Sequence, residues 1–302
     1  VTFGGYGRFG VLYQENAAGT DETNVTSRFR LQIDATAESD MGVTFGARAR
    51  IQQNNTDENV SVTKGADGIF GTADDGLTTA GPAGTGINGV RFFARTGGFE
   101  VGVGNIYGAL ESMPGMYEID LGLTGLSYEY TAYNFRGDAY SSGGNGAAGS
   151  NGVEALYSMG DLKVHISASD TNDRVAGYVA YTYNGFTFAA AAQDSNAAGD
   201  TDYALSVVGN VGPAKVSLAY ADNGDDTGVG TVNGDHYALT ASFDIGAATN
   251  LDVYVADADY FAETSYGIGA HHDLGGGVSL RGGIISRGND TVRADMGVRF
   301  TF

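Results

Sequence analysis

Thirteen arginines and three lysines carry the positive charge of this chain, and seven of the arginines fall in its first third: Arg8, Arg28, Arg30, Arg48, Arg50, Arg91 and Arg95. Their spacing is the informative feature. Arg28 and Arg30, Arg48 and Arg50, and Arg91 and Arg95 recur at even intervals, so in an extended segment each pair projects to one face. Guanidinium stays charged at any working pH and presents a rigid fork of donors. A strip of such groups orders water and dipolar solutes and sets ion preference; it is not a nucleophile. Seven cations in a chain of formal net charge −20 require counter-charges, and the long polar connection 105–151 offers Glu111, Glu118, Asp120 and Glu129. Glu111, Glu118 and Asp120 are the acids expected to face the arginines.

A second group of hard ligands lies in the connection 54–87. Asp67, Asp74 and Asp75 fall within ten residues of Gly-rich chain, a composition that suits calcium, although the spacing is not that of an EF-hand. No other cofactor is implied. Catalysis has little support: adjacent His271 and His272 would point to opposite faces of a strand, and His165 and His236 have no serine or acid partner at readable spacing. The chain has no cysteine, which removes disulfides and thiolate metal sites.

The elements that must position these groups are strands. In 25–37, Val25, Phe29, Leu31, Ile33, Ala35 and Ala37 alternate with Thr26, Arg28, Arg30, Gln32, Asp34 and Thr36. The same period of two runs through 43–52, 162–169 and 292–302. Sixteen such segments are expected. Short connections near 39–42, 96–98, 159–161, 184–185, 211–213, 244–247 and 273–277 alternate strictly with longer polar ones near 15–24, 54–87, 105–151, 170–174, 195–201, 223–234, 258–263 and 287–290. That order is the signature of an all-β, transmembrane, antiparallel up-and-down barrel in a bacterial outer membrane, with short periplasmic turns, longer external loops and both termini periplasmic. A Greek-key sandwich would scramble it. Tyr13, Tyr157, Tyr183, Phe186, Tyr203, Tyr220, Tyr237 and Phe243 stand near strand ends on the apolar face, where interfacial girdles form.

Other classes fit less well. No run of about 18 apolar residues exists, as a spanning helix would require. The acidic balance repels nucleic acid. An acidic, Cys-free, Gly-rich chain could also be a secreted calcium-binding surface protein, but the repeated Gly-rich nonapeptides of that class are missing. The first residues already alternate as a strand and lack the features of a signal peptide, so a mature form is expected.

The closing Met-Gly-Val-Arg-Phe-Thr-Phe, ending at Phe302, and the opening strand from Val1 to Tyr13 resemble general diffusion porins. Ser27-Arg28-Phe29-Arg30, the 39–46 hairpin, and Asp273-Leu274-Gly275-Gly276-Gly277 followed by Gly282-Gly283-Ile284 are similar to the alphaproteobacterial, purple-bacterial branch. The resemblance implies one domain over 1–302 and a homotrimer among lipid and lipopolysaccharide. It also implies a third external loop, 105–151, folded into the barrel to narrow a pore for small hydrophilic solutes opposite the wall arginines. Ser112-Met113-Pro114-Gly115 replaces the Pro-Glu-Phe-Gly-Gly of some enteric members, and a substrate-specific channel is the alternative.

Overall fold

A computed structural model describes residues 1–15, 21–56, 59–63, 76–80, 86–133, 137–142, 149–196, 200–224 and 234–302. The chain forms a closed antiparallel barrel of 16 strands. They are β1 (Thr2–Gln14), β2 (Glu22–Glu38), β3 (Thr44–Thr56), β4 (Gly86–Ile87 continued by Arg91–Thr96), β5 (Phe99–Asn105), β6 (Asn151–Met159), β7 (Leu162–Ser169) and β8 (Val175–Tyr183). The second half comprises β9 (Phe186–Asp194), β10 (Asp202–Val211), β11 (Ala214–Asp222), β12 (Asp235–Asp244), β13 (Thr249–Ala258), β14 (Ser265–Gly275), β15 (Val278–Ser286) and β16 (Val292–Thr301). Each strand pairs with its sequence neighbours, and β1 pairs with both β2 and β16, so no edge remains open. Within the connection 54–87 a separate hairpin pairs Asn59–Thr63 with Gly76–Ala80.

Alternation sets which side chains meet which medium. On β8, Val175, Val179 and Tyr181 are exposed on the outer face, while Ala176, Tyr178 and Ala180 are buried on the inner one. Outward Tyr183, Tyr203 and Tyr237 are exposed at strand ends, as an interfacial girdle requires. The rings of Tyr220 and Tyr237 lie 5.0 Å apart, tilted by 37°, and both hydroxyls donate to Asp235, at 2.8 and 3.1 Å.

The interior is not a uniformly wet tube. From β8 to β13 the inward positions are dominated by alanine: Ala176, Ala180, Ala189, Ala191, Ala204, Ala219, Ala221, Ala238 and Ala256 are all buried. Against them pack Leu110, Met113, Met116, Leu121, Leu126, Tyr130 and Tyr133 of the segment 106–150. An apolar core therefore sits inside the barrel, between a small-residue wall and a loop. Each fully buried leucine there contributes about 1.5–3 kcal/mol. Small residues are what let the loop approach. A Cβ on Gly10 would lie 2.1 Å from Met296 O and one on Gly297 2.2 Å from Phe9 O, each also 2.7 Å from Leu123 Cδ2, so alanine at either position forces the β1–β16 seam apart as well as the loop tip.

Candidate functional site

Two strands carry the centre of the basic wall. Arg28 and Arg30 on β2 face Asn54 and Gln52 of β3 in register, and Arg50 of β3 faces Gln32 of β2. Each guanidinium is oriented through Nε by an amide oxygen: Arg28 to Asn54 at 2.6 Å, Arg30 to Gln52 at 2.6 Å and Arg50 to Gln32 at 2.9 Å. Arg28 Nη1 also donates to the Tyr6 hydroxyl at 3.2 Å, and Arg30 lies 5.1 Å from the centre of the Tyr6 ring. Arg48 differs, because Asp34 neutralises it at 2.6 Å. Arg8 sits between Arg28 and Arg299 in register but is buried, with Nη1 donating to Leu123 O at 2.7 Å.

The segment 106–150 crosses the lumen and bonds to inward side chains around most of the circumference. Its outgoing limb starts at a buried charge cluster. Glu154 of β6 accepts from Arg91 Nε at 2.5 Å, and it lies 2.9 Å from His165 Nε2. The backbone N–H groups of Tyr107 and Gly108 donate to the same carboxylate at 3.1 and 3.3 Å. Ser206 and Ser217 then donate to the carbonyls of Pro114 and Gly115 on the far wall. The tip reaches the closing seam, where Asp295 of β16 accepts from the N–H groups of Leu123 and Thr124 at 2.8 and 2.7 Å. The returning limb is held by Arg174–Asp138 at 2.7 Å and by Asn105, whose side chain both accepts from Ser141 N at 3.0 Å and donates to Ser141 O at 2.9 Å.

A closed barrel of this strand order, with an internal segment opposite a row of arginines, is a channel, and the comparisons with known proteins agree along the chain. The model of the Gram-negative porin family matches residues 1–291. The chain belongs to the Gram-negative porin family. It is 33% identical over 321 residues to a porin of Fuscovulum blasticum, with 100% of each chain covered. Solved structures of two engineered variants of the Rhodopseudomonas blastica porin are similar at TM-scores of 0.79 and 0.78. Each has 28% identity, with 100% of this chain and 99% of theirs covered. The porin is an integral outer-membrane barrel for passive diffusion and not an enzyme.

The geometry redistributes the charges expected to line its pore. Arg28, Arg30, Arg48 and Arg50 are neighbours on one wall. Arg91 is only 1% exposed, is taken up by Glu154 of β6 and by Glu100 of β5 at 2.6 Å and lies 4.1 Å from the centre of the Tyr107 ring, so it braces the wall under the loop instead of facing solute. Arg95 is exposed beside the 97–98 turn, at the opposite end of the strand from the loop. Of Glu111, Glu118 and Asp120, Asp120 alone pairs with arginine, meeting Arg281 at 2.6 Å and Arg299 at 2.7 Å. Glu118 pairs with Lys215 at 2.5 Å, and Glu111 accepts from the Tyr117 hydroxyl at 2.8 Å. Neither faces Arg28, Arg30 or Arg50. The loop groups that do reach this wall are neutral: Ser142 Oγ accepts from Arg50 at 2.7 Å, the Tyr140 ring lies 4.6 Å from the Arg50 guanidinium, and Tyr107 OH accepts from Arg48 at 2.5 Å.

Sequence spacing missed Asp34, Glu100, Glu154 and Asp295, which are single acids on polar strand faces. It also missed that His165 has an acid partner, since the register and not the sequence interval brings Glu154 to it. Asp67, Asp74 and Asp75 lie outside the described residues.

Burial pushes the Glu111 carboxyl above the ordinary carboxylate range, and the Tyr117 hydroxyl only partly offsets this. A carboxyl with a raised folded pKa binds more protons folded than unfolded, so stability falls as pH rises from its unfolded value through the folded one. Above the folded value the penalty is fully present. Glu111→Gln, which keeps an oxygen for Tyr117, is expected to melt above the parent at pH 7. The gap should close as pH falls through the carboxylic range, and thermal scans at several pH values check it.

Proposed function

We propose that this porin passes small hydrophilic solutes and ions through a narrow section bounded by Arg28, Arg30 and Arg50 on β2 and β3 and by the returning limb of the inner loop opposite them. The observation supporting this reading is the loop's course. It packs on the alanine wall and meets the wall of Arg28, Arg30, Arg48 and Arg50 through the neutral side chains of Tyr107, Tyr140 and Ser142, so the free cross-section lies on that side. The termini are assigned to the periplasm, because the turns at the end where they lie are short and the connections at the other end are long.

Reconstitution into planar bilayers tests the reading. Stepwise conductance should appear, and entry of neutral sugars into proteoliposomes should fall steeply with solute size. Proteoliposomes that remain tight to the smallest sugar would remove it. Assembly as a homotrimer is part of the proposal, supported by exposed outward Phe3, Phe9, Val25 and Phe29 on β1 and β2; a monomer in mild detergent would count against it. Calcium bound through Asp67, Asp74 and Asp75 rests on their ligand chemistry alone, and chelation that leaves thermal stability unchanged would dismiss it.

A further inference from the structure

The basic wall lacks the counter-charges that its neighbours possess. Arg48 has Asp34, Arg91 has Glu154 and Glu100, Arg174 has Asp138, Arg287 has Glu129, and Arg281 and Arg299 share Asp120. Among the described residues, Arg28, Arg30 and Arg50 have no carboxylate partner, only amide and hydroxyl oxygens. Those acceptors use Nε of all three and one terminal nitrogen of Arg28 and Arg50. Both terminal nitrogens of Arg30 and the second of Arg28 and Arg50 therefore have no acceptor among the described residues. Arg28, Arg30 and Arg50 are each half-buried, and none of these nitrogens is among the buried unsatisfied ones.

We propose that Arg28, Arg30 and Arg50 form a weak, saturable site for small oxyanions, carboxylates or phosphates, in transit. The proposal rests on the pore reading above. A diffuse positive field attracts any anion according to its charge. A site differs, because guanidiniums held through Nε present their remaining donors in a fixed plane, and two parallel N–H groups match the two oxygens of a carboxylate or phosphate edge. Chloride has no such edge. The Tyr6 ring beside Arg30 limits the freedom of the group further. Passage requires binding favourable enough to enter and weak enough to leave, which places the dissociation constant on the order of millimolar.

The experiment measures single-channel conductance of the unmodified protein at rising concentrations of sodium chloride, sodium phosphate and sodium succinate at neutral pH, and the block of chloride current by added phosphate, succinate or glucose. Conductance should rise in proportion to concentration in chloride and level off in phosphate, succinate or both, which also identifies the oxyanion class. Glucose should not block. Arg28→Gln, Arg30→Gln and Arg50→Gln together should raise the half-blocking concentration at least about tenfold, and each single substitution should raise it less. Proportional conductance in both oxyanions, equal block by glucose, or saturation that survives the triple substitution would each overturn the site while leaving the pore intact. Absence of any channel current would instead overturn the pore reading on which the site rests.

Discussion

Replacing Glu154 by leucine is expected to widen the pore and to destabilise the barrel by about 3–5 kcal/mol, the cost of breaking a buried ion pair from one side. Glu154 accepts from Arg91 and from the first N–H groups of the inner loop, and lies within hydrogen-bonding distance of His165. Its loss leaves Arg91 with Glu100 alone and the Tyr107 and Gly108 amides without acceptors. Single-channel conductance should rise, and the melting temperature should fall. Glu154→Gln, which keeps one oxygen for the amides, should do less on both counts. The informative comparison adds Arg91→Leu and His165→Leu to Glu154→Leu. Removing Arg91 and His165 as well recovers much of the stability, because matched apolar groups replace the orphaned ones and the released Glu100 is part-exposed, but the loop amides still lack their acceptor and conductance stays high. Parental conductance in Glu154→Leu would show that the loop is positioned by its apolar packing alone.

Charge substitutions in the lumen should separate residues that sequence alone groups together. Replacing Arg28, Arg30 and Arg50 by glutamine removes cations without exposing any carboxylate. One unit charge acts on an ion about 8 Å away in water with about 0.5 kcal/mol before screening, and three such charges approach the 1.4 kcal/mol that is worth a factor of ten. The cation-to-anion permeability ratio should thus rise by up to about tenfold at low salt and by less at high salt, where the Debye length shortens. Asp120→Asn should move selectivity the other way, since it leaves Arg281 and Arg299 uncompensated. Glu111 and Glu118 should matter less, one being desolvated against Tyr117 and the other paired with Lys215. Reversal potentials in a salt gradient measure all of these. An effect of Glu118→Gln equal to that of Asp120→Asn would contradict the assignment.

The strands and their order were legible because lipid and water demand different side chains at alternating positions, and the seven short and eight long connections carried the topology. The arginine pairs on β2 and β3 could be placed on one face for the same reason. Arg91 could not be told from Arg50 by its own neighbourhood. Its fate depends on Glu154, which sits two strands and one long loop away and is brought to it by barrel register. The inner wall was obscured for a different reason: alanine is compatible with either face, so the run Ala189–Ala192 gives no sign that half of it meets a packed loop. The acids of the loop were visible as composition, but their partners are set by the path of an irregular segment, which has no period to read.

The tip of the inner loop touches both strands that close the barrel. Arg8 of β1 donates to the carbonyl of Leu123, and Asp295 of β16 accepts from the amides of Leu123 and Thr124. β1 and β16 therefore meet over a piece of chain that lies between them in sequence. Closure and narrowing become one event in assembly: an unsealed barrel lacks one half of the clasp that fixes its loop, and a barrel whose loop has not seated lacks the stitches across its seam.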